Sequence, residues 1–94
     1  MGRYRRVREN GIVFVFKTDD ADPEILHIYA RHLTTIDDAL DVYFDTSARE
    51  SVNPDHDRFE RFNATHGLYW FWLDQPGRVV MVITCFNLEG GRHE

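Results

Sequence analysis

The sequence holds one cysteine, one lysine and no long apolar run, and each shortage narrows what the chain can be. A lone Cys85 cannot close an intramolecular disulfide, and its apolar neighbours suggest a buried, reduced thiol. No stretch approaches the about 18 apolar residues of a membrane span, and the basic start has no signal-peptide core before Asn10. A soluble, cytoplasmic protein with no membrane partner is therefore expected. His27, His32, His56 and His66, with Asp55 and Asp57, offer ligand atoms. They lack an HExxH, paired-cysteine or EF-hand spacing, so no metal is expected. With no Gly-rich phosphate loop and no nucleophile motif, no cofactor is expected either. Internal repeats, low-complexity tracts and linkers are also missing.

What is present suffices for one modest core. Ninety-four residues, 43% hydrophobic and 14% aromatic, argue for a single domain over 1–94 and against disorder. Sixteen acidic and eleven basic residues give a net charge of −5, which disfavours a general nucleic-acid coating protein but leaves room for a local basic site.

Along the chain, Asn10-Gly11 is the favoured two-residue turn, so residues 3–18 read as a hairpin with Tyr4-Arg-Arg-Val-Arg8 facing Ile12-Val-Phe-Val-Phe16. Residues 1–8 form a basic arm or edge strand, whose arginines either discourage edge pairing or track phosphate. Asp22 as a cap and Pro23 at the first helical position predict a helix to about Leu33, with Glu24-Ile-Leu-His-Ile-Tyr29 as a short strand the alternative. A second helix follows at 35–45, its apolar stripe running through Ile36, Ala39, Leu40, Tyr43 and Phe44, with Thr35 and Asp38 as a capping box. Residues 46–57 read as a surface loop. Then come Arg58–Asn63, Leu68–Leu73 and Arg78–Phe86 as strands, with Gln75-Pro76-Gly77-Arg78 a type II turn. Residues 87–94 read as a flexible tail.

The predicted fold is α+β: an N-terminal hairpin, a helical layer at about 23–45, then a three-stranded antiparallel meander packed on it. Leu68, Trp70 and Trp72 point one way from their strand while Tyr69, Phe71 and Leu73 point the other. One helical layer leaves the second face in need of a partner.

Over Arg31–Asp45, and again at Arg58-Phe-Glu-Arg-Phe62, the chain resembles the BrnT-type toxins of bacterial toxin–antitoxin pairs. These belong to the broader RelE, barnase and colicin-like ribonuclease architecture. The resemblance implies a small ribonuclease toxin that cuts RNA without metal and is held by a cognate antitoxin protein. Such cleavage needs a base, an acid and cations for the phosphorane charge. The candidate catalytic residues are His27, Arg31, His32, Arg58, Arg61 and His66. Imidazoles can supply proton transfer, and arginine forks match phosphate oxygens. Arg5, Arg6, Thr65, Tyr69 and Trp70 are candidates for RNA binding. Each has a plainer reading as a helix contact, a surface ion pair or core. The alternative function is a non-catalytic interaction module in which the aromatic sheet face binds another protein or forms a homodimer.

Overall fold

The computed structural model describes residues 3–74 and 76–88. Asn10 and Gly11, with φ of 53° and 78°, supply the two left-handed positions that a tight hairpin turn needs. They join β1 (Tyr4–Glu9) to β2 (Ile12–Lys17). The chain then crosses over through two short helices, α1 (His27–His32) and α2 (Ile36–Phe44). It returns as β3 (Arg49–Asn53), β4 (Arg58–Phe62), β5 (His66–Trp72) and β6 (Val79–Asn87). These pair antiparallel in succession, and β6 closes against β2 in parallel. The result is one six-stranded sheet in the order β1-β2-β6-β5-β4-β3.

This mixed sheet corrects the predicted three-stranded meander beside a separate hairpin. β6 is apolar on both faces and needs a neighbour on each side, and β2 is the second apolar strand available to pair with it. β3 lies in the stretch expected to be loop. Apart from exposed Val52 its residues are polar, so no period-2 apolar signal marks it; backbone pairing to β4 and the Arg61–Glu50 ion pair at 3.1 Å hold it instead. The first helix is shorter than predicted. Asp22 accepts from the Glu24 N–H at 3.0 Å rather than capping a helix, and Leu26 bridges back to Thr18, so helix begins only at His27. At the far end Asn87 belongs to β6. The expected tail beyond Leu88 lies outside the described residues, as does Gln75 of the type II turn, in which Gly77 has the required φ of 89°.

The core lies between one sheet face and the helices. Phe14 and Phe16 of β2, Val80, Val82 and Cys85 of β6, and Leu68 and Trp70 of β5 meet Ile28, Ala39 and Val42. Trp70 stacks on Phe59 at 4.5 Å and meets Tyr43 edge-on at 5.1 Å. Thr35 and Asp38 form the predicted reciprocal capping box, with bonds of 2.9 and 3.2 Å. Between the helices, buried Thr34 donates its hydroxyl to the Cys85 carbonyl at 2.7 Å and pins the crossover to β6. Burial pushes the Cys85 thiol up to about 12, which makes it an inert core group.

Candidate functional site

Alternation along the strands sorts the candidate residues between the two sheet faces. Leu68, Trp70 and Trp72 face the helices, while Tyr69, Phe71 and Leu73 face the other way. On β6 the register steps from Tyr69↔Thr84 to Trp70↔Val82, leaving Ile83 as a bulge residue, so Val82 and Cys85 both reach the core. On β4, Phe59 and Arg61 turn to the helices and Arg58, Glu60 and Phe62 to the open side.

Most of the predicted catalytic set sits on the helical side, in separate places. Arg61 is held at the C-terminus of α2. Its Nε donates to the Val42 carbonyl at 2.9 Å, one terminal nitrogen to the Asp45 carbonyl at 2.7 Å, and the other to Glu50 at 3.1 Å. These bonds add to the 3.3 Å bond from the Asp45 N–H at the Val42 carbonyl and supply a donor to the carbonyl of the C-cap Asp45. His66 opens β5 near the other end of α2, with Nε2 3.8 Å from Asp38 and Nδ1 2.8 Å from the Thr65 hydroxyl. Asn63 Oδ1 accepts the backbone N–H groups of Thr65 and His66, so Thr65 shapes the β4–β5 turn. His27 begins α1, and exposed Arg31 and His32 occupy its last turn, where cations suit the helix dipole. His32 lies at the rim, its ring 6.2 Å from Phe86. Arg5 reaches the Glu24 carbonyl at 3.3 Å, and Trp70 is buried in the core.

Arg6, Arg58 and Tyr69 are the predicted residues that share the open face. Arg58 lies over the Tyr69 ring, 4.2 Å from its centroid, and bonds the Glu60 carboxylate at 2.9 Å. The Asn53 amide donates to the same carboxylate oxygen at 2.9 Å; this bond first, then Arg58, holds Glu60 below the usual carboxylate range. Behind Tyr69, Phe62 and Phe86 meet edge-on over Gly67. A Cβ at Gly67 would lie 2.5 Å from the Phe86 ring, so only glycine lets these aromatics lie across the strand.

Nearer β1, a hollow of about 380 Å³ opens among Tyr4, Arg6, Val15, Phe71, Leu73 and Met81. Tyr4 is 55% and Leu73 51% exposed. By the same alternation Arg8, Lys17 and Arg49 stand on this face too. Arg6, Arg8, Lys17, Arg49 and Arg58 thus oppose Glu60 as the lone carboxylate among the described strand residues on this side. The crossover layer is opposite in sign: from Asp19 to Asp45 it carries Asp19, Asp20, Asp22, Glu24, Asp37, Asp38, Asp41 and Asp45 against Arg31. Lys17, Arg49 and the Tyr4–Phe71 hollow were not singled out in the sequence, because strands distant along the chain assemble them.

Among the described residues no helix is long and apolar enough to cross a membrane, and no group of three or more His, Cys, Asp or Glu side chains is placed to hold a metal ion. Comparison with protein-family models, curated proteins and solved structures returned no match.

Proposed function

We propose that this protein binds a single-stranded nucleic-acid segment across the open face of its sheet, as a binding platform without a nuclease centre. One observation carries the reading: aromatic rings and cations interleave on a face that neither α1 nor α2 covers, with Glu60 as the lone carboxylate among its described strand residues. Single strands are held by a cationic track for the phosphates and by ring faces on which bases stack, each stack worth about 1–3 kcal/mol. The hollow between Tyr4 and Phe71 suits a stacked base, with Arg6 and Lys17 beside it for the flanking phosphates. Tyr69 is already covered by Arg58, so at that end the guanidinium plane presents the stacking surface.

Two features favour binding over cleavage and over self-association. A nuclease needs an acid and a base beside the phosphate, whereas the imidazoles predicted for those roles, His27, His32 and His66, lie on the helical layer, at its rim or behind the sheet, and Glu60, which has His56 nearby, is engaged by Arg58 and Asn53. A homodimer through the open face would set two arginine-rich surfaces against each other.

Fluorescence polarisation with oligouridylate and oligothymidylate of about 12 nucleotides tests the reading, and the two probes separate RNA from DNA preference. Tyr4→Ala and the pair Arg6→Glu and Lys17→Glu should each weaken binding about tenfold or more without loss of fold. The oligouridylate should be recovered intact. Absence of binding, indifference to these substitutions, or cleaved product would each overturn the proposal.

A further inference from the structure

The outer edge of β1 is a second, separate feature. The Asn10–Gly11 turn makes Glu9↔Ile12 a hydrogen-bonded pair, and the alternation of antiparallel ladders extends that status to Val7↔Phe14 and Arg5↔Phe16. The Thr18 N–H bond to the Arg3 carbonyl at 2.9 Å keeps the same phase. It follows that the backbone N–H and C=O groups of Tyr4, Arg6 and Arg8 point away from β2, along the free side of the sheet.

Beside that edge, on the helical side, lies a groove of about 600 Å³. It lies where the helices leave part of β1 uncovered: α1 packs mainly on β2 and β6, and α2 mainly on β4 and β5. Arg5 and Val7 form its sheet wall and Ile25, Leu26, Tyr29 and Ile36 the facing apolar one; Glu24 and Asp37 also line it, so the side chains that enter are apolar. Ile25 is 37% and Tyr29 46% exposed.

We propose that the β1 edge and this groove accept an extended segment of a partner protein whose residues alternate acidic and apolar. Main-chain bonds to Tyr4, Arg6 and Arg8 would add it as a seventh strand. Its residues opposite Arg5 and Val7 turn into the groove and meet Ile25, Tyr29 and Ile36. Those opposite Arg6 and Arg8 turn to the open face, where a carboxylate pairs across strands with each guanidinium. Charge complementarity selects this occupant over a second copy of the chain, since joining two β1 edges would place arginine beside arginine. The inference shares Arg6 and Arg8 with the nucleic-acid face, but the groove and the free backbone edge are its own, so amide protection and Ile25→Asp read it separately from oligonucleotide binding.

The probe is a fluorescein-labelled synthetic heptapeptide alternating Glu and Val, read by polarisation and by amide hydrogen exchange. On binding, the amides of Tyr4, Arg6 and Arg8 should gain protection, while those of Arg5 and Val7, already bonded to β2, should change little. Arg6→Glu with Arg8→Glu, and separately Ile25→Asp at an exposed groove position, should each weaken the peptide about tenfold or more. A peptide N-methylated on its edge-facing amides should lose binding, and a Lys–Val heptapeptide should bind far more weakly. The proposal is overturned if the Glu–Val peptide fails to bind at about millimolar concentration. Binding without the alternating protection, or with the charge-reversed variant equally competent, overturns it as well. Concentration-dependent protection of the same amides without peptide would overturn it in favour of a second copy.

Discussion

Arg61→Ala should unfold the protein before it affects ligand binding. The guanidinium makes bonds at 2.9, 2.7 and 3.1 Å to the Val42 carbonyl, the Asp45 carbonyl and Glu50, tying α2 and the β3 edge to β4. Hydrogen bonds with a charged partner contribute about 1.5–3 kcal/mol each, but the side chain is 18% exposed and water can reach the freed carbonyls, so the simple sum overstates the loss. A destabilisation of about 2–4 kcal/mol follows, which in a domain of this size lowers Tm by about 10–30 °C. Circular dichroism melts of wild type, Arg61→Ala and Arg61→Lys measure it. Lysine should fall between the two, keeping a charge near the helix end but losing the fork. If Arg61→Ala melts within about 3 °C of wild type while oligonucleotide binding drops about tenfold, Arg61 holds phosphate and its assignment to the helix end is wrong.

Gly67→Ala should cost about 1–3 kcal/mol, because the new Cβ displaces the Phe86 and Phe62 rings, and near-ultraviolet circular dichroism should change with the melt. An unchanged spectrum and Tm would mean that the rings move aside freely. In acid, the lowered pKa of Glu60 means the folded state releases its proton more readily than the unfolded chain, so the contribution is present above the ordinary value of 4.5 and fades as pH falls through the lower folded value. Urea midpoints at pH 7 and pH 3 should therefore differ less in Glu60→Gln than in wild type. Equal differences would remove Glu60 from the acid response.

Period-2 alternation made much of the sheet legible. It separated Trp70 from Tyr69, marked β6 as a central strand and divided the sheet into the face under the helices and a second face of exposed apolar groups. The same rule could have divided the catalytic set, since Arg58 and Arg61 are three apart on one strand and must point to opposite faces. Attention to residue type, in place of strand parity, joined them. Other features carry no local signal. The parallel pairing of β2 with β6 joins segments more than sixty residues apart, and β3 has no apolar face to betray it. Strand order alone brings Arg6, Lys17 and Arg49 to the same face as Arg58, so this cationic surface could not be read along the chain.

A net charge of −5 and a cationic face coexist because the acids are segregated. The crossover between β2 and β3 carries eight of them, among them Asp37 and Asp38 where they favour the start of α2. A helix is about 10 Å across, so most of that charge is separated from the open face by the sheet and the helical layer. The Debye length at about 0.15 M salt is about 8 Å, short enough for a bound phosphate to respond mainly to Arg6, Arg8, Lys17, Arg49 and Arg58. With about four phosphates engaged, log affinity should fall with log salt at a slope near −3. Near 0.01 M the screening length grows to about 30 Å, comparable with the molecule's extents of 34 × 32 × 28 Å, and the acidic layer begins to repel the strand. The plot should then flatten at low salt. A straight line down to about 0.01 M would show that the acidic layer does not reach the binding face, and a slope near zero throughout would show that the face engages no phosphates.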